Sequence, residues 1–341
     1  MEYRTLGRTG VQVSPLCLGA MMFGGLGNPD HDECIRIIHR ALDAGINCID
    51  TADAYSAGES EEIVGKALAG GRRDDVIVAT KVFNAMGKDP NHRGTSRRWI
   101  IREVEDSLRR LGTDYLDLYQ VHRPDPSCDI EETLGALTDL VHAGKVRYLG
   151  SSTFPAHQIV EAQWASERRH LERFVCEQPP YSMLTRGIEA DVLPTTLRYG
   201  MGVIVWSPLS GGMLSGRYRP GVETPPSHRD QLRSRWGSLP PEAAEAAKVR
   251  AARELWTVAD EAGLTMVDLA LAFAINHPGV TAAIIGPRTM EQLESQLHAP
   301  EVSLTTDVLD RIDEIVPPGV TISPADVFWT SPGLSPAARR R

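Results

Sequence analysis

The stretch Leu16-Cys17-Leu18-Gly19-Ala20-Met21-Met22-Phe23-Gly24-Gly25 decides between two α/β architectures. It begins as an apolar run of strand length and ends in a glycine-bearing turn. That turn is where a doubly wound sheet would carry the G-x-G-x-x-G phosphate cradle on its first strand-to-helix connection. Here the glycines stand at 19, 24 and 25, which is the wrong spacing. Gly65-Lys66 likewise lacks the upstream Gly and the following Ser or Thr of a P-loop. Outward from this first strand, strand-length apolar runs alternate with segments of helical period. The predicted strands cover 16 to 20, 47 to 50, 76 to 81, 115 to 122, 146 to 151, 174 to 178, 203 to 207 and 282 to 286. The predicted helices cover 32 to 43, 60 to 69, 96 to 111, 130 to 143, 155 to 169, 188 to 199, 266 to 276 and 290 to 298. Gly45, Gly112, Gly144 and Gly200 fall at helix ends, where a residue without Cβ accepts the left-handed conformation that stops the helix. Eight βα units of about 35 residues each make one α/β domain, a single (β/α)8 TIM barrel. Residues 1 to 341 are expected to form that one domain, with a long loop (208 to 241) and an extra helix (242 to 262) after strand 7. A C-terminal helix (305 to 316) and a tail (317 to 341) complete it.

The composition agrees with a chain of this kind. With 341 residues, 42% hydrophobic and 24% charged, a large core can form, which excludes disordered and fibrous classes. A net charge of −9 argues against nucleic acid and against an anionic membrane, so the expected partner is a small molecule. The cysteines (Cys17, Cys34, Cys48, Cys128, Cys176) show neither C-x-x-C nor zinc-ligand spacing, so no metal site is expected and the thiols should be reduced. Met1-Glu2-Tyr3-Arg4 does not resemble the start of a signal peptide, and the apolar run Leu269 to Ile275 is too short to cross a bilayer. A cytoplasmic protein is the expectation.

The chemistry gathers at one end of the barrel. In this architecture active sites form where the strands end, and the second, third and fourth strands end at Asp50, Lys81 and His122. Tyr55 follows five residues after Asp50. Singly, each has a structural explanation: a buried ion pair, a core histidine, a loop tyrosine. Together, four titratable groups at the same end of neighbouring strands point to a functional site. A Lys ending the run Val76-Ile77-Val78-Ala79-Thr80 needs a partner, and Asp50 on the adjacent strand can supply one. The Lys81 ammonium is expected to lower the pKa of Tyr55 and make it a proton donor, while His122 orients a carbonyl oxygen by hydrogen bonding.

Asp50-Thr51-Ala52-Asp53-Ala54-Tyr55, Thr80-Lys81 and Asp117-Leu118-Tyr119-Gln120-Val121-His122 together resemble the aldo-keto reductase superfamily, over Tyr3 to about Val316. The resemblance implies a (β/α)8 barrel that binds NADPH and reduces aldehydes and ketones. It also implies a catalytic tetrad of Asp50, Tyr55, Lys81 and His122, with Tyr55 the proton donor. Gly150-Ser151-Ser152-Thr153-Phe154 resembles a cofactor motif with Thr153 in place of Asn, and Gln178 resembles the glutamine that holds the nicotinamide carboxamide. Trp206 stands where an aromatic stacks on the nicotinamide, in a segment through Tyr218 similar to potassium-channel β-subunits and their bacterial relatives. Ile285-Gly286-Pro287-Arg288 resembles the segment that meets the 2′-phosphate, with Arg288 and Arg217 as candidate cations. Gln296 takes the position of an adenine-binding Asn. The full implied cofactor set is Gly19, Met21, Asp50, Ser152, Thr153, Gln178, Trp206, Ser207, Leu209, Gly211, Ser215, Arg217, Gly286, Arg288, Gln292 and Gln296.

The leading expectation is therefore an NADP-dependent oxidoreductase acting on a small carbonyl substrate. The resemblance leaves two alternatives, a redox-sensing regulatory subunit like the channel β-subunits and a reductase restricted to nucleotide-linked keto sugars. Phe23, Phe83, Phe154 and a basic loop with Arg217, Arg219, Arg229, Arg233 and Arg235 lie near strand ends and are candidates to face the substrate.

Overall fold

The computed structural model describes residues 1 to 219, 221, 242 to 334 and 338. The basic-loop candidates Arg229, Arg233 and Arg235 lie outside them, as does most of the Arg-rich C-terminus. Eight parallel strands close into a barrel: β3 (Leu16–Gly19), β4 (Cys48–Asp50), β5 (Ile77–Val82), β6 (Leu116–Val121), β7 (Val146–Ser152), β8 (Phe174–Gln178), β9 (Gly202–Val205) and β10 (Ala282–Ile285). β10 pairs with β3 through Ile285 and Leu18, which completes the ring. A short antiparallel hairpin, β1 (Arg4–Thr5) and β2 (Gln12–Val13), precedes it.

The helices that face the strands are α1 (His31–Asp43), α2 (Glu59–Leu68), α3 (Arg97–Leu111), α4 (Ile130–His142), α5 (Ala156–Arg169), α6 (Val192–Tyr199), α8 (Met266–Ile275) and the short α9 (Met290–Glu294). α7 (Glu242–Glu261) and α10 (Thr306–Ile315) are the additions. Their ends are set by local chemistry. The Asp30 side chain accepts the Glu33 N–H at the start of α1, and Thr265 and Asp268 cap α8 reciprocally. α3 stops at Gly112, whose φ of 63° is the left-handed conformation foreseen there. Along α3, Trp99, Ile100, Val104, Leu108 and Leu111 recur at helical spacing and bury the face turned to the barrel.

Alternation along the strands separates two cores. Leu16, Leu18, Ile49 and Val78 face the helices and join the main core. Cys17, Cys48, Ala79, Leu118, Cys176, Ile204 and Ala282 form a second cluster with Leu6 and Val13 of the hairpin region. These residues line the barrel interior, and the hairpin closes its floor. Gly7 permits the close approach, since a Cβ there would lie 2.6 Å from Gly200 O. The thiols of Cys17 and Cys48 meet at 3.1 Å in this cluster, and burial, then the neighbouring Cys48, pushes the Cys17 thiol well above the ordinary range. Two residues further along four of these strands, the same inward face turns polar with Asp50, Lys81, Gln120 and Gln178.

The segment after α10 runs back across the 182 to 189 loop. Arg186 N–H donates to Val320 O (2.9 Å), Ile322 N–H to Leu184 O (3.1 Å) and Gly187 N–H to Thr321 Oγ1 (3.1 Å). Lys248 of α7, fully buried, pairs with Asp326 at 2.6 Å. Further along, the Phe328 ring lies with its centroid 5.9 Å from that of Trp206.

Candidate active site

Lys81 occupies the centre of the polar layer. Its Nζ donates to Asp50 Oδ1 (2.5 Å), Thr51 O (2.7 Å) and Tyr55 Oη (3.3 Å), which uses all three ammonium protons. Asp50 Oδ2 accepts from Gln178 Nε2 (2.7 Å) and Gln120 Nε2 (3.2 Å), and Gln178 also donates to Gln120 Oε1 (3.1 Å). The ion pair is thus hydrogen-bonded on both sides, as a buried pair requires. Burial works to lower the Lys81 pKa, but the fields of Asp50 and Tyr55 and the hydrogen bonds to both leave it above its ordinary value. The lysine is a fixed cation.

Tyr55 begins a tight turn, Tyr55–Gly58, in which Ser56 and Ala57 take left-handed φ values of 49° and 56°. Side chains hold this unusual path. Ser56 Oγ donates to Phe23 O (3.1 Å) and accepts the Leu26 N–H (3.0 Å), and Ser60 Oγ donates to Ala20 O (2.7 Å). Beneath the loop, Asp53 is buried. Burial, then the nearby Glu61 and Glu103, raises its carboxyl well above the usual range. Arg110 ties Glu61 and Glu103 together at 2.5 Å each, and Glu61 also accepts from Thr80 Oγ1 (2.6 Å).

The expected lowering of the Tyr55 pKa is not what the site produces. Burial raises it and is the largest influence, exceeding the opposing pull of Lys81 and Arg123. Tyr55 is therefore a neutral phenol at neutral pH, the form that can give a proton.

His122 follows β6 and meets Tyr55 edge-on, with ring centroids 5.7 Å apart. Burial, then the cations Arg123 and Lys81, holds its pKa well below the ordinary value, so the ring is neutral. Asn84 Nδ2 lies 3.0 Å from His122 Nδ1. An amide nitrogen only donates, so Nδ1 accepts and the ring proton sits on Nε2.

Asn84, Gln120 and Arg123 are site residues that the sequence reading missed. Gln120 was within reach of it, because the period-two alternation that turns His122 inward does the same for Gln120. Asn84 and Arg123 carry no such signal. Of the substrate-facing candidates, Phe23 and Phe154 are buried in the main core, Phe154 edge-on to Phe174, and Phe83 alone of the three is half-exposed.

The residues implied for a cofactor form an arc from β7 round to β3. Ser152 Oγ donates to Gln178 O (2.8 Å), and Thr153 takes a left-handed φ of 60° beside it. Trp206, Ser207, Leu209 and Gly211 belong to one turn, with φ of 61° at Ser207 and 62° at Gly211, and Ser215 Oγ donates back to Gly212 O (2.7 Å). Arg217 is half-buried beyond it. Across the ring, Gln292 Oε1 accepts the Arg288 N–H (2.8 Å), and Asn28 Nδ2 donates to Arg288 O (2.8 Å). Gly286 is exposed with open space where a Cβ would stand. Gly19 has a packing role of its own, since Ile284 Cγ2 fills the place of its Cβ at 2.5 Å, and Met21 is half-buried in the next turn. Among the described residues, two buried polar atoms on this arc have no hydrogen-bond partner, Trp206 Nε1 and Gln296 Oε1. An unpaired amide oxygen at Gln296 suits the exocyclic amine of an adenine, so the residues present fit a dinucleotide. Among the described residues no group of His, Cys, Asp and Glu is placed to hold a metal ion, and no helix is long and apolar enough to cross a membrane.

The model of the aldo/keto reductase family matches residues 15–317. The chain belongs to the aldo/keto reductase family. Its similarity to an uncharacterized oxidoreductase, YrpG, of Bacillus subtilis (strain 168) is 40% identity, covering 96% of this chain and 100% of that protein. A probable voltage-gated potassium channel subunit beta of Arabidopsis thaliana is 36% identical, covering 93% of this chain and 97% of that one. A putative voltage-gated potassium channel subunit beta of Schizosaccharomyces pombe is 37% identical, with 93% of each chain covered. The family and the oxidoreductase relative make this aldo/keto reductase an oxidoreductase.

Proposed function

We propose that this aldo/keto reductase uses NADPH to reduce aldehydes or ketones to alcohols, with Tyr55 as proton donor. The observation that carries the reading is the neutral Tyr55 hydroxyl, 3.3 Å from a buried ammonium and packed edge-on against a neutral imidazole. A carbonyl oxygen seated between Tyr55 and His122 accepts from both, from the phenol O–H and from Nε2–H. As negative charge grows on that oxygen, Tyr55 transfers its proton, and the phenolate left behind is stabilised by Lys81. Asp50 keeps Lys81 charged, and Gln120 and Gln178 hold Asp50. When bound, the reduced nicotinamide supplies the hydride. Ser152, Thr153, Gln178 and Trp206 are the residues that would hold its ring, Gln296 its adenine, and Arg288 and Arg217 its 2′-phosphate. A cytoplasmic setting and a small-molecule partner belong to the same proposal.

A second reading, a subunit that reports cofactor redox state to a partner, is supported by the similarity to proteins named as channel β-subunits. Turnover separates the two. Sustained oxidation of NADPH with 4-nitrobenzaldehyde supports the reductase, whereas a single stoichiometric oxidation that then stops favours the sensor.

A further inference from the structure

Three buried or half-buried arginines of this molecule are paired with carboxylates, and Arg123 differs from them. Arg73 pairs with Asp117, Arg110 with Glu61 and Glu103, and Arg186 with Glu189 and Asp313. Arg123 makes no ion pair among the described residues. Its Nη1 donates only to neutral oxygens, His122 O (2.6 Å), Thr153 Oγ1 (3.2 Å) and Ser152 Oγ (3.5 Å). Its guanidinium carbon lies 5.7 Å from the centroid of the Trp206 ring. The N–H groups on Nε and Nη2 make no hydrogen bond among the described residues, so one edge of the planar fork is free.

Among the described residues no anion pairs directly with this charge, although the field of Glu177 reaches it. Asp50 and Lys81 cancel, and Tyr55 and His122 are neutral. Asp125, two residues on, is taken up by Thr95 and Ser127, and Glu177, whose field reaches Arg123, is on the outward face of β8. It is occupied there by the Ser151 hydroxyl and by the Phe154 N–H (3.0 Å). Burial holds the Arg123 pKa below its ordinary value, the mark of a cation that has lost water without gaining an anion. A desolvated guanidinium with a free fork, beside the proton donor and under an aromatic ring, is suited to a planar or tetrahedral oxyanion.

We propose that Arg123 is a specificity residue that selects carbonyl substrates bearing an anionic group, a carboxylate or a phosphate. The inference rests on the reductase reading and deepens it.

The test compares kcat/KM for 2-, 3- and 4-carboxybenzaldehyde with that for their methyl esters, and for glyceraldehyde 3-phosphate with that for glyceraldehyde. The positional isomers sample the distance between carbonyl and anion, and the phosphate arm distinguishes the two anion types. In the wild type the best acid should exceed its ester by roughly 10- to 150-fold, the worth of a charge-assisted hydrogen bond. Arg123→Leu should collapse that ratio towards one, and Arg123→Lys should keep part of it, with the change mainly in KM. Equal use of acid and ester by the wild type overturns the proposal, as does a ratio unchanged in Arg123→Leu. A loss of NADPH affinity in that variant with the ratio intact also overturns it and assigns Arg123 to the cofactor. Calorimetric titration with benzoate and benzamide serves as an arm that needs no turnover and, on the wild type, no variant that folds. Preference for benzoate, lost in Arg123→Lys or Arg123→Leu, upholds the anion site. If no aldehyde of either series is reduced, it is the reductase reading that fails, and the titration still decides the role of Arg123.

Discussion

Replacing Lys81 with methionine keeps an unbranched chain of similar length but removes the ammonium that Asp50, Thr51 and Tyr55 share. Asp50 then remains buried with two amide donors, from Gln120 and Gln178, and no cation. The cost has a ceiling, because the carboxylate can escape by taking up a proton. At pH 7 that escape costs about 1.4 kcal/mol for each of the roughly three units separating pH 7 from an ordinary Asp, or about 4 kcal/mol. At pH 5 it costs only about 1.5 kcal/mol by the same reasoning. The penalty of the unpaired, buried carboxylate is therefore smallest in acid and grows as the pH rises. Urea unfolding followed by tryptophan fluorescence at pH 5 and pH 7 should show a deficit that widens with pH, and the double variant Asp50→Asn/Lys81→Met should recover most of it at pH 7. Activity should stay lost in both, since neither restores a cation beside Tyr55. A deficit that does not change with pH, or a double variant as unstable as the single one, would refute the ion-pair account of this layer.

Tyr55→Phe should lower kcat on the order of 100-fold or more while NADPH affinity, measured by fluorescence quenching, stays near wild type, because only the acid is removed. Arg288→Ala should weaken NADPH binding by about 10- to 150-fold and leave NADH nearly unchanged in the same titration, and equal losses would remove Arg288 from the 2′-phosphate. Asn84→Ala should reduce kcat by roughly fivefold, the worth of about 1 kcal/mol, and nitrogen NMR should show His122 no longer held in the Nε2–H tautomer. Burial, opposed by the Ser151 hydroxyl and the Phe154 and Thr153 N–H groups, raises the Glu177 carboxyl to about 7. Its stabilising influence is therefore full below about pH 4 and lost as pH climbs through 7, so Glu177→Gln should be the more stable protein at pH 8 by up to about 3 kcal/mol and should lose that advantage at pH 4.

Periodicity located every barrel strand because each is an apolar run of strand length set between helical segments, and on four of them the lining changes from apolar to polar towards the strand end. Asp50, Lys81 and His122 were legible for the same reason, as titratable residues at the ends of apolar runs, and Tyr55 by its place in the loop that follows Asp50. What stayed hidden depended on contacts distant in sequence or on loop conformation. The strand predicted to reach Ser207 stops at Val205, as the chain turns through a left-handed Ser207. The helix expected from 188 to 199 divides into a turn at Gly187–Glu189 and α6 from Val192, with Arg186 and Glu189 pinned by the segment after α10. The helix expected to continue to 298 ends at Glu294, and Gln296 is buried in the turn that follows. Nothing in the composition around Thr321 or Phe328 has a period, so their docking on the 182 to 189 loop and on Trp206 had no local signature. Asn84 could not be read either, since its partner is 38 residues away across the mouth of the barrel.

The hairpin that stoppers the floor also governs traffic. With Leu6 and Val13 sealed into the interior cluster, the floor is closed among the described residues, and whatever reaches Tyr55 enters and leaves on the rim side. Two guests sharing one doorway cannot overtake each other. The deeper guest must be first in and last out, so an obligatory order of addition would follow from the architecture, whatever the relative affinities. An enzyme with this layout has its pace set as much by the departure of the inner guest as by the bond it breaks.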